Sequence, residues 1–241
     1  MTEKLVALIT GANKGLGREA ARQLARRGMT VVATARDRAR GEASAAALRD
    51  EKLDVRALAL DVTDGASIAA AARWVEGALG RLDLLVNNAG IVVSDGKPSE
   101  MDLADVRKTY ETNLFGVVAV TQAFLPLLRR APAGRIVNVS SGLGSLARMS
   151  NPTAQFARFS SVGYAASKTA LNAVTVAFAN ELRETPIKVN AADPGWCATD
   201  LNNHTGPRSV EEGVRVVVQL ATLGADGPTG GFFDENGPEP W

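Results

Sequence analysis

The sequence predicts an α/β fold: a doubly wound parallel sheet of about seven strands with helices on both faces. Short β-branched runs alternate with helical stretches along all 241 residues, and parallel strands need crossover helices of this kind. No Pro/Gly/Ser linker and no internal repeat interrupts the alternation, so residues 1–241 read as a single domain.

The first strand is Leu5–Thr10, apolar on both faces and stopped by a glycine. Arg18–Arg27, rich in Ala, Leu, Gln and Arg and ended by Gly28, is the first helix. A second strand at Val31–Thr34 leads to a helix through Ala43–Arg49, and a third strand at Val55–Leu60 to a helix at Ser67–Leu79. Leu82–Asn87 is the fourth strand. Two helical segments, Asp102–Thr109 and Thr112–Arg129, precede a fifth strand at Arg135–Ser140. The long helix Tyr164–Arg183, the strand Ile187–Ala192, the helix Val210–Leu223 and a short strand at Gly230–Phe233 complete the series.

Composition narrows the chemistry. There are 27 Lys and Arg against 26 Asp and Glu, a net charge of +1, which gives no reason to expect nucleic acid or an anionic membrane as partner. The one cysteine, Cys197, and the one histidine, His204, exclude an internal disulfide framework and a His-rich metal site, so no metal is expected. The start MTEKLVALIT is not a signal peptide, and no run of 18 apolar residues predicts a membrane span. The expectation is a cytoplasmic protein.

In a doubly wound sheet, ligands bind beyond the carboxyl ends of the strands. The first such turn is Gly11-Ala12-Asn13-Lys14-Gly15-Leu16-Gly17. Its three glycines permit a sharp turn and let a pyrophosphate approach amides at a helix N-terminus; a merely tight turn is the plainer alternative. The Lys-Ser/Thr pair of a P-loop is absent. After the second strand comes Arg36, where a carboxylate would bind a ribose hydroxyl and an arginine accommodates a 2′-phosphate. Lys14 adds a second positive charge nearby and Asp37 is a weaker ribose candidate, so NADP(H) is favoured over NAD(H). Tyr164 and Lys168, at i and i+4, share one helix face, where an ammonium favours the phenolate and tunes the phenol for proton transfer to a carbonyl oxygen.

Together with these, Asp61-Val62 after the third strand, Asn87-Asn88-Ala89-Gly90 after the fourth and Asn113 in a helix resemble the short-chain dehydrogenase/reductases, which have the Rossmann fold. So do Ile136–Ser141, Tyr164-Ala165-Ala166-Ser167-Lys168 and Pro194-Gly195, over essentially the whole chain and in the family's order. Within the family, TARDRARGEA, PGWCATDL, PTGGFF and Trp241 look most like the carbonyl reductases. The resemblance implies that Tyr164 is the general acid in reduction and that Lys168 lowers its pKa and holds the nicotinamide ribose. It implies further that Ser141 bonds the substrate oxygen and Asn113 holds a water that relays protons. Gly11, Asn13, Lys14, Gly15, Leu16, Gly17 and Arg36 would line the phosphate side of the cofactor. Asp61 and Val62 would meet the adenine, Asn87, Ala89 and Gly90 the adenosine side, and Pro194, Gly195, Cys197 and Thr199 the nicotinamide carboxamide. Taken singly, Ser140-Ser141 also reads as a strand cap, Asn113 as a helix-kink residue and Asn87-Asn88 as turn chemistry.

Ser141 and Tyr164 lie 23 positions apart, about ten more than the family commonly has. The insertion 142–163, with Arg148–Pro152, Phe156 and Phe159, reads as a lid or pocket wall, and 196–208 as a loop closing on cofactor and substrate. Between Thr112 and Asn180 there is no Asp or Glu, while Arg129, Arg130, Arg135, Arg148, Arg158 and Lys168 are basic, which leaves open a basic pocket for an anionic substrate. The apolar helices 112–128 and 164–183 suggest a homodimer or homotetramer, with a monomer still open. The leading expectation is an NADPH-dependent reductase of a small-molecule ketone, aldehyde or quinone. An alcohol dehydrogenase working oxidatively and a non-catalytic NADP-binding regulator are the alternatives.

Overall fold

The computed structural model describes residues 4–153, 159 and 161–241. Its single sheet has the order β3-β2-β1-β4-β5-β6-β7-β8. The strands are β1 (Val6–Ile9), β2 (Thr30–Ala35), β3 (Val55–Ala59), β4 (Leu84–Asn87), β5 (Arg135–Val139), β6 (Lys188–Ala192), β7 (Phe232–Asp234) and β8 (Gly237–Pro238). All neighbours are parallel except β7 and β8, which form an antiparallel turn. The eighth strand exceeds the seven expected. It is two residues long and half proline, too short to leave a periodic trace in the sequence. The order reverses between β1 and β4, where Ile9 stands beside Val86, and the turns after these strands form the cleft.

Alternate strand residues feed two cores. Ala7, Ile9, Val31, Ala33 and Val137 face α1 (Gly15–Arg26) and α8 (Val210–Ala221), packing on Leu24, Val214 and Val217. Val6, Leu8, Val32, Leu85 and Ile136 face the other way, onto Ile68, Val75, Phe124 and Leu128 of α3 (Gly65–Leu79) and α5 (Gly116–Leu128). Burial on both faces explains why the strands read as continuous apolar runs.

Helix starts follow the capping residues. Asp37 accepts from Arg40 N, so α2 spans Arg38–Asp50, five residues earlier than its periodicity predicts. Asp64 caps α3, Asp102 caps α4 (Leu103–Tyr110) and Ser209 caps α8. Residues 102–129, expected as two helices, form one: a π turn at Glu111–Phe115 joins α4 to α5. The continuous helix Leu103–Leu128 has 26 residues and is long and apolar enough to cross a membrane, but half of its apolar window is buried in the fold. It is a core helix. The insertion carries a one-turn helix, α6 (Leu146–Met149), and leads into α7 (Tyr164–Glu181). Phe156 and Arg158 lie outside the described residues.

Candidate active site

The sequence places most candidate residues on turns at the carboxyl ends of β1, β4, β5 and β6, and the fold gathers those turns. Thr10 ties the first two together. Its hydroxyl accepts from the backbone N–H groups of Asn88 and Ala89 at 2.9 and 3.0 Å, and the Asn88 amide donates to the carbonyls of Thr10 and Gly11. This knot is so tight that a Cβ at Gly17 would lie 2.4 Å from Asn88 Nδ2 and 2.6 Å from the Gly11 carbonyl. Gly15 has φ +54, a left-handed conformation that glycine adopts without cost.

The start of α1 has no side-chain cap and no acidic residue in its first turn, whereas α2, α3, α4 and α8 are all capped by Asp or Ser. Its unbonded amides face the cleft and fit a pyrophosphate. Arg36 is exposed just past β2, with Arg38 and Arg40 beside it, while the neighbouring Asp37 is used up as the cap of α2. That combination fits a phosphorylated ribose better than a bare one. Lys14, expected beside Arg36, instead holds Asp200 Oδ2 at 2.6 Å, and Asp200 Oδ1 meets His204 Nε2 at 2.8 Å. The hydrogen bond from Lys14, and after it the one with His204, keep the Asp200 carboxyl below its usual range. The phosphate loop and the 196–208 loop thus touch across the cleft mouth.

Ser141, Tyr164, Lys168 and Asn113 converge from three elements. Ser141 follows β5, and its hydroxyl accepts from Leu143 N and bonds the Tyr164 side chain. Ser161 in the insertion accepts from Tyr164 N, which fixes where α7 begins. One turn later, Lys168 Nζ stands 5.7 Å from the Tyr164 ring centre and donates to the Val139 carbonyl at 2.8 Å. Burial pushes the phenol up to about 12, with Asp193 adding to the rise and Ser141 opposing it; burial brings the Lys168 ammonium down to about 8. The π turn delivers Asn113, whose amide is fully committed: Oδ1 accepts from Ile91 N, and Nδ2 donates to Ile91 O and Ser167 Oγ. A water at Asn113 therefore has to use its backbone. A Cβ at Gly90 would lie 3.5 Å from both Asn113 Oδ1 and Lys168 Nζ, so these three residues share one corner of the cleft.

Other expected contacts are placed differently. The Asn87 side chain is buried, with its amide nitrogen donating to Thr121 and Asn138 inside the core. Asp61 folds back on Thr63 in a local turn, and Val62 packs against Gly116. The buried Cys197 thiol donates to Pro194 O and is held protonated by burial, up to about 11. A Cβ at Gly213 would meet its Sγ at 2.1 Å, so the sulfur is packed on α8. Ala89, Gly195 and Thr199 sit on the gathered turns, with Gly15 and Thr199 facing each other.

Among the described residues, the arginines that suggested a basic pocket do not form one. Arg129 pairs with Glu181 and Arg130 with Glu76 on the surface. Arg135, at the opposite end of β5 from Ser141, donates to the carbonyls of Gly134, Pro186, Leu223 and Gly224 and so closes the end of α8. Arg148 bonds Glu239 and lies 3.8 Å from Asp193. Sequence reasoning missed Asp193 and Glu239, because a lone acid beside Pro194 or Pro240 reads as turn chemistry.

The family model for short chain dehydrogenases matches residues 5–209. The chain belongs to that family. Among curated relatives of this short-chain dehydrogenase, the short-chain dehydrogenase anuI of Penicillium roqueforti is 38% identical over 92% of this chain and 90% of its own. Carbonyl reductase (NADPH) 1 of Rattus norvegicus is 34% identical over 100% of this chain and 99% of its own. A solved NADPH-bound carbonyl reductase from chicken fatty liver superposes with a TM-score of 0.87 at 30% identity, covering 100% of both chains. Salutaridine reductase from Papaver somniferum gives a TM-score of 0.85 at 29% identity, over 96% of this chain and 100% of that one. This short-chain dehydrogenase is an oxidoreductase of the carbonyl reductase-like kind.

Proposed function

We propose that this short-chain dehydrogenase reduces a ketone, aldehyde or quinone to an alcohol with NADPH, using Tyr164 as general acid. The observation that carries the reading is the Ser141–Tyr164–Lys168 arrangement opposite an uncapped α1 start with Arg36 at its side. NADPH, when bound, supplies the hydride. Its pyrophosphate would rest on the amides of Gly15–Gly17, its 2′-phosphate on Arg36, and its nicotinamide ribose on Lys168.

The Ser141 hydroxyl holds the substrate oxygen, and Tyr164 Oη delivers its proton to that oxygen as negative charge develops there. A phenol held at about 12 is fully protonated at neutral pH, which suits an acid. The Lys168 ammonium stabilises the phenolate left behind and passes a proton back to it, drawing on a water held by the Asn113 backbone carbonyl. The same groups run the reverse oxidation. Arg36 and the similarity to NADPH-bound carbonyl reductase favour reduction.

Phe159 of the insertion packs edge-on against Trp196, 6.4 Å between ring centres, which supports the insertion and the 196–208 loop as facing walls of the substrate cleft. Assembly into a dimer or tetramer through the continuous helix Leu103–Leu128 and α7 fits the exposure of Phe115, in its π turn, and of Ala173 and Ala177 on α7. A cytoplasmic setting fits the single unpaired cysteine.

The test is NADPH consumption with a panel of ketones, aldehydes and quinones, beside Tyr164→Phe. Loss of the proton donor should cut kcat by about 10²–10⁴-fold while the cofactor still binds. Binding without turnover on every panel member would leave two readings, a narrow substrate outside the panel or the non-catalytic alternative.

A further inference from the structure

Asp193 follows β6 and is buried. Its carboxylate accepts from Gly195 N at 2.9 Å and from Gly142 N, so it staples the turn after β6 to the turn that carries Ser141. Toward the other side it faces Arg148 of α6 at 3.8 Å, and Arg148 in turn bonds Glu239 at 2.5 Å.

Glu239 is anchored from below. Its backbone N–H donates to Phe232 O at 2.8 Å, and its side chain is 2% exposed. The residues after it grip the insertion directly: Ser145 Oγ donates to Pro240 O at 2.7 Å, and Ala147 N donates to Trp241 O at 2.9 Å. Trp241 stacks on the buried Phe232 ring with centres 5.7 Å apart. The first part of the insertion is therefore strapped down by residues 239–241 and wired through Arg148 and Asp193 to the Ser141 turn.

We propose that Glu239 is a positioning residue: through Arg148 and Asp193 it fixes the Ser141 turn and the insertion's near wall, and so controls how the carbonyl substrate is held. The inference rests on the reading of Ser141 given above. Two carboxyl groups, Asp193 and Glu239, face the Arg148 guanidinium; a third, Asp234, lies against them and hydrogen-bonds the Glu239 side chain, and Asp193 also acts on Tyr164. Burial and the nearby Asp193 push the Glu239 carboxyl up to about 7. Above that pH its charge grips Arg148; below it the strap loosens.

The experiment compares Glu239→Ala and Glu239→Gln with the parent protein. In the Ala variant, KM for the best carbonyl of the panel should rise about 10-fold or more, the size of a lost buried charge-assisted bond, while NADPH affinity stays the same. Gln keeps an acceptor for Arg148 and should recover most of that KM, but the pH dependence of KM near 7 should vanish in both variants. Amide exchange at Gly142–Met149, which needs no substrate, should quicken in the Ala variant. An Ala variant with native circular dichroism, unchanged KM, the parent pH profile and parent exchange rates would overturn the proposal. If the parent turns over no carbonyl, the exchange measurement alone still decides whether Glu239 holds the wall, so that failure and a failure of the reductase reading are told apart.

Discussion

Lys168 illustrates how a group the chemistry needs is held at a cost to the fold. Its folded value lies near 8, depressed from 10.5 by burial, so the fold favours the neutral amine. Stability from this group is present above 10.5 and is lost as pH falls through about 8. At pH 7 the ammonium is therefore a burden, partly offset by its bond to Val139 O. Lys168→Met removes the burden and that bond together. The desolvation cost should win, raising Tm at pH 7 by roughly 2–4 °C, the equivalent of about 1 kcal/mol in a chain of this size. The gap between variant and parent should close as pH is taken from 8 to above 10.5. A variant that melts lower at pH 7 would show that the Val139 bond dominates.

The junction of β1 and α1 makes a sharper demand on its residues than any helix interior. Gly17→Ala pushes a methyl against Asn88 Nδ2 and the Gly11 carbonyl, and overpacking of that kind costs about 1–3 kcal/mol. Because Asn88 pins the loop whose amides would hold phosphate, the variant should lose NADPH affinity as well as several degrees of Tm. Gly77→Ala, in α3 with open space around it, is the control: calorimetry should show it neutral or more stable, by about 0.5–1 kcal/mol. A Gly17→Ala protein that binds the cofactor normally would mean the loop has slack. Elements of this kind are legible in sequence because glycine spacing and capping residues act locally. The reach of α2 back to Arg38 was legible too, had Asp37 been read as a cap and not weighed as a ribose ligand. The destination of Asn87, the pairing of Lys14 with Asp200 and the Asp193–Arg148–Glu239 cluster were not. Each joins residues far apart in the chain, and only the fold brings them within reach.

The arrangement of charge over the molecule has its own logic. The charge-poor stretch from Thr112 to Asn180 suggests a basic pocket, but of its described arginines Arg129 and Arg130 are in surface pairs, Arg135 holds the carbonyls beyond α8 and Arg148 holds Glu239. What remains is an apolar outer patch of the π turn and α7, with Phe115 at 55% exposed and Ala173 and Ala177 exposed beside it in the helical layer. Burial of such a face in a second copy predicts a sedimentation mass that is two or four times 25.2 kDa at micromolar concentration. A mass of one chain would leave that face to solvent, and Phe115→Asp should then change nothing.

The strap formed by residues 239–241 also has a meaning in time. A ribosome delivers the glycine loop, the Ser141 turn and the Tyr164 helix before it delivers the residues that hold α6 in place. Strands β1 to β6 are made before these residues, and until they arrive the substrate wall is unfastened. The residues that would hold the dinucleotide are thus encoded ahead of the ones that fasten the substrate wall.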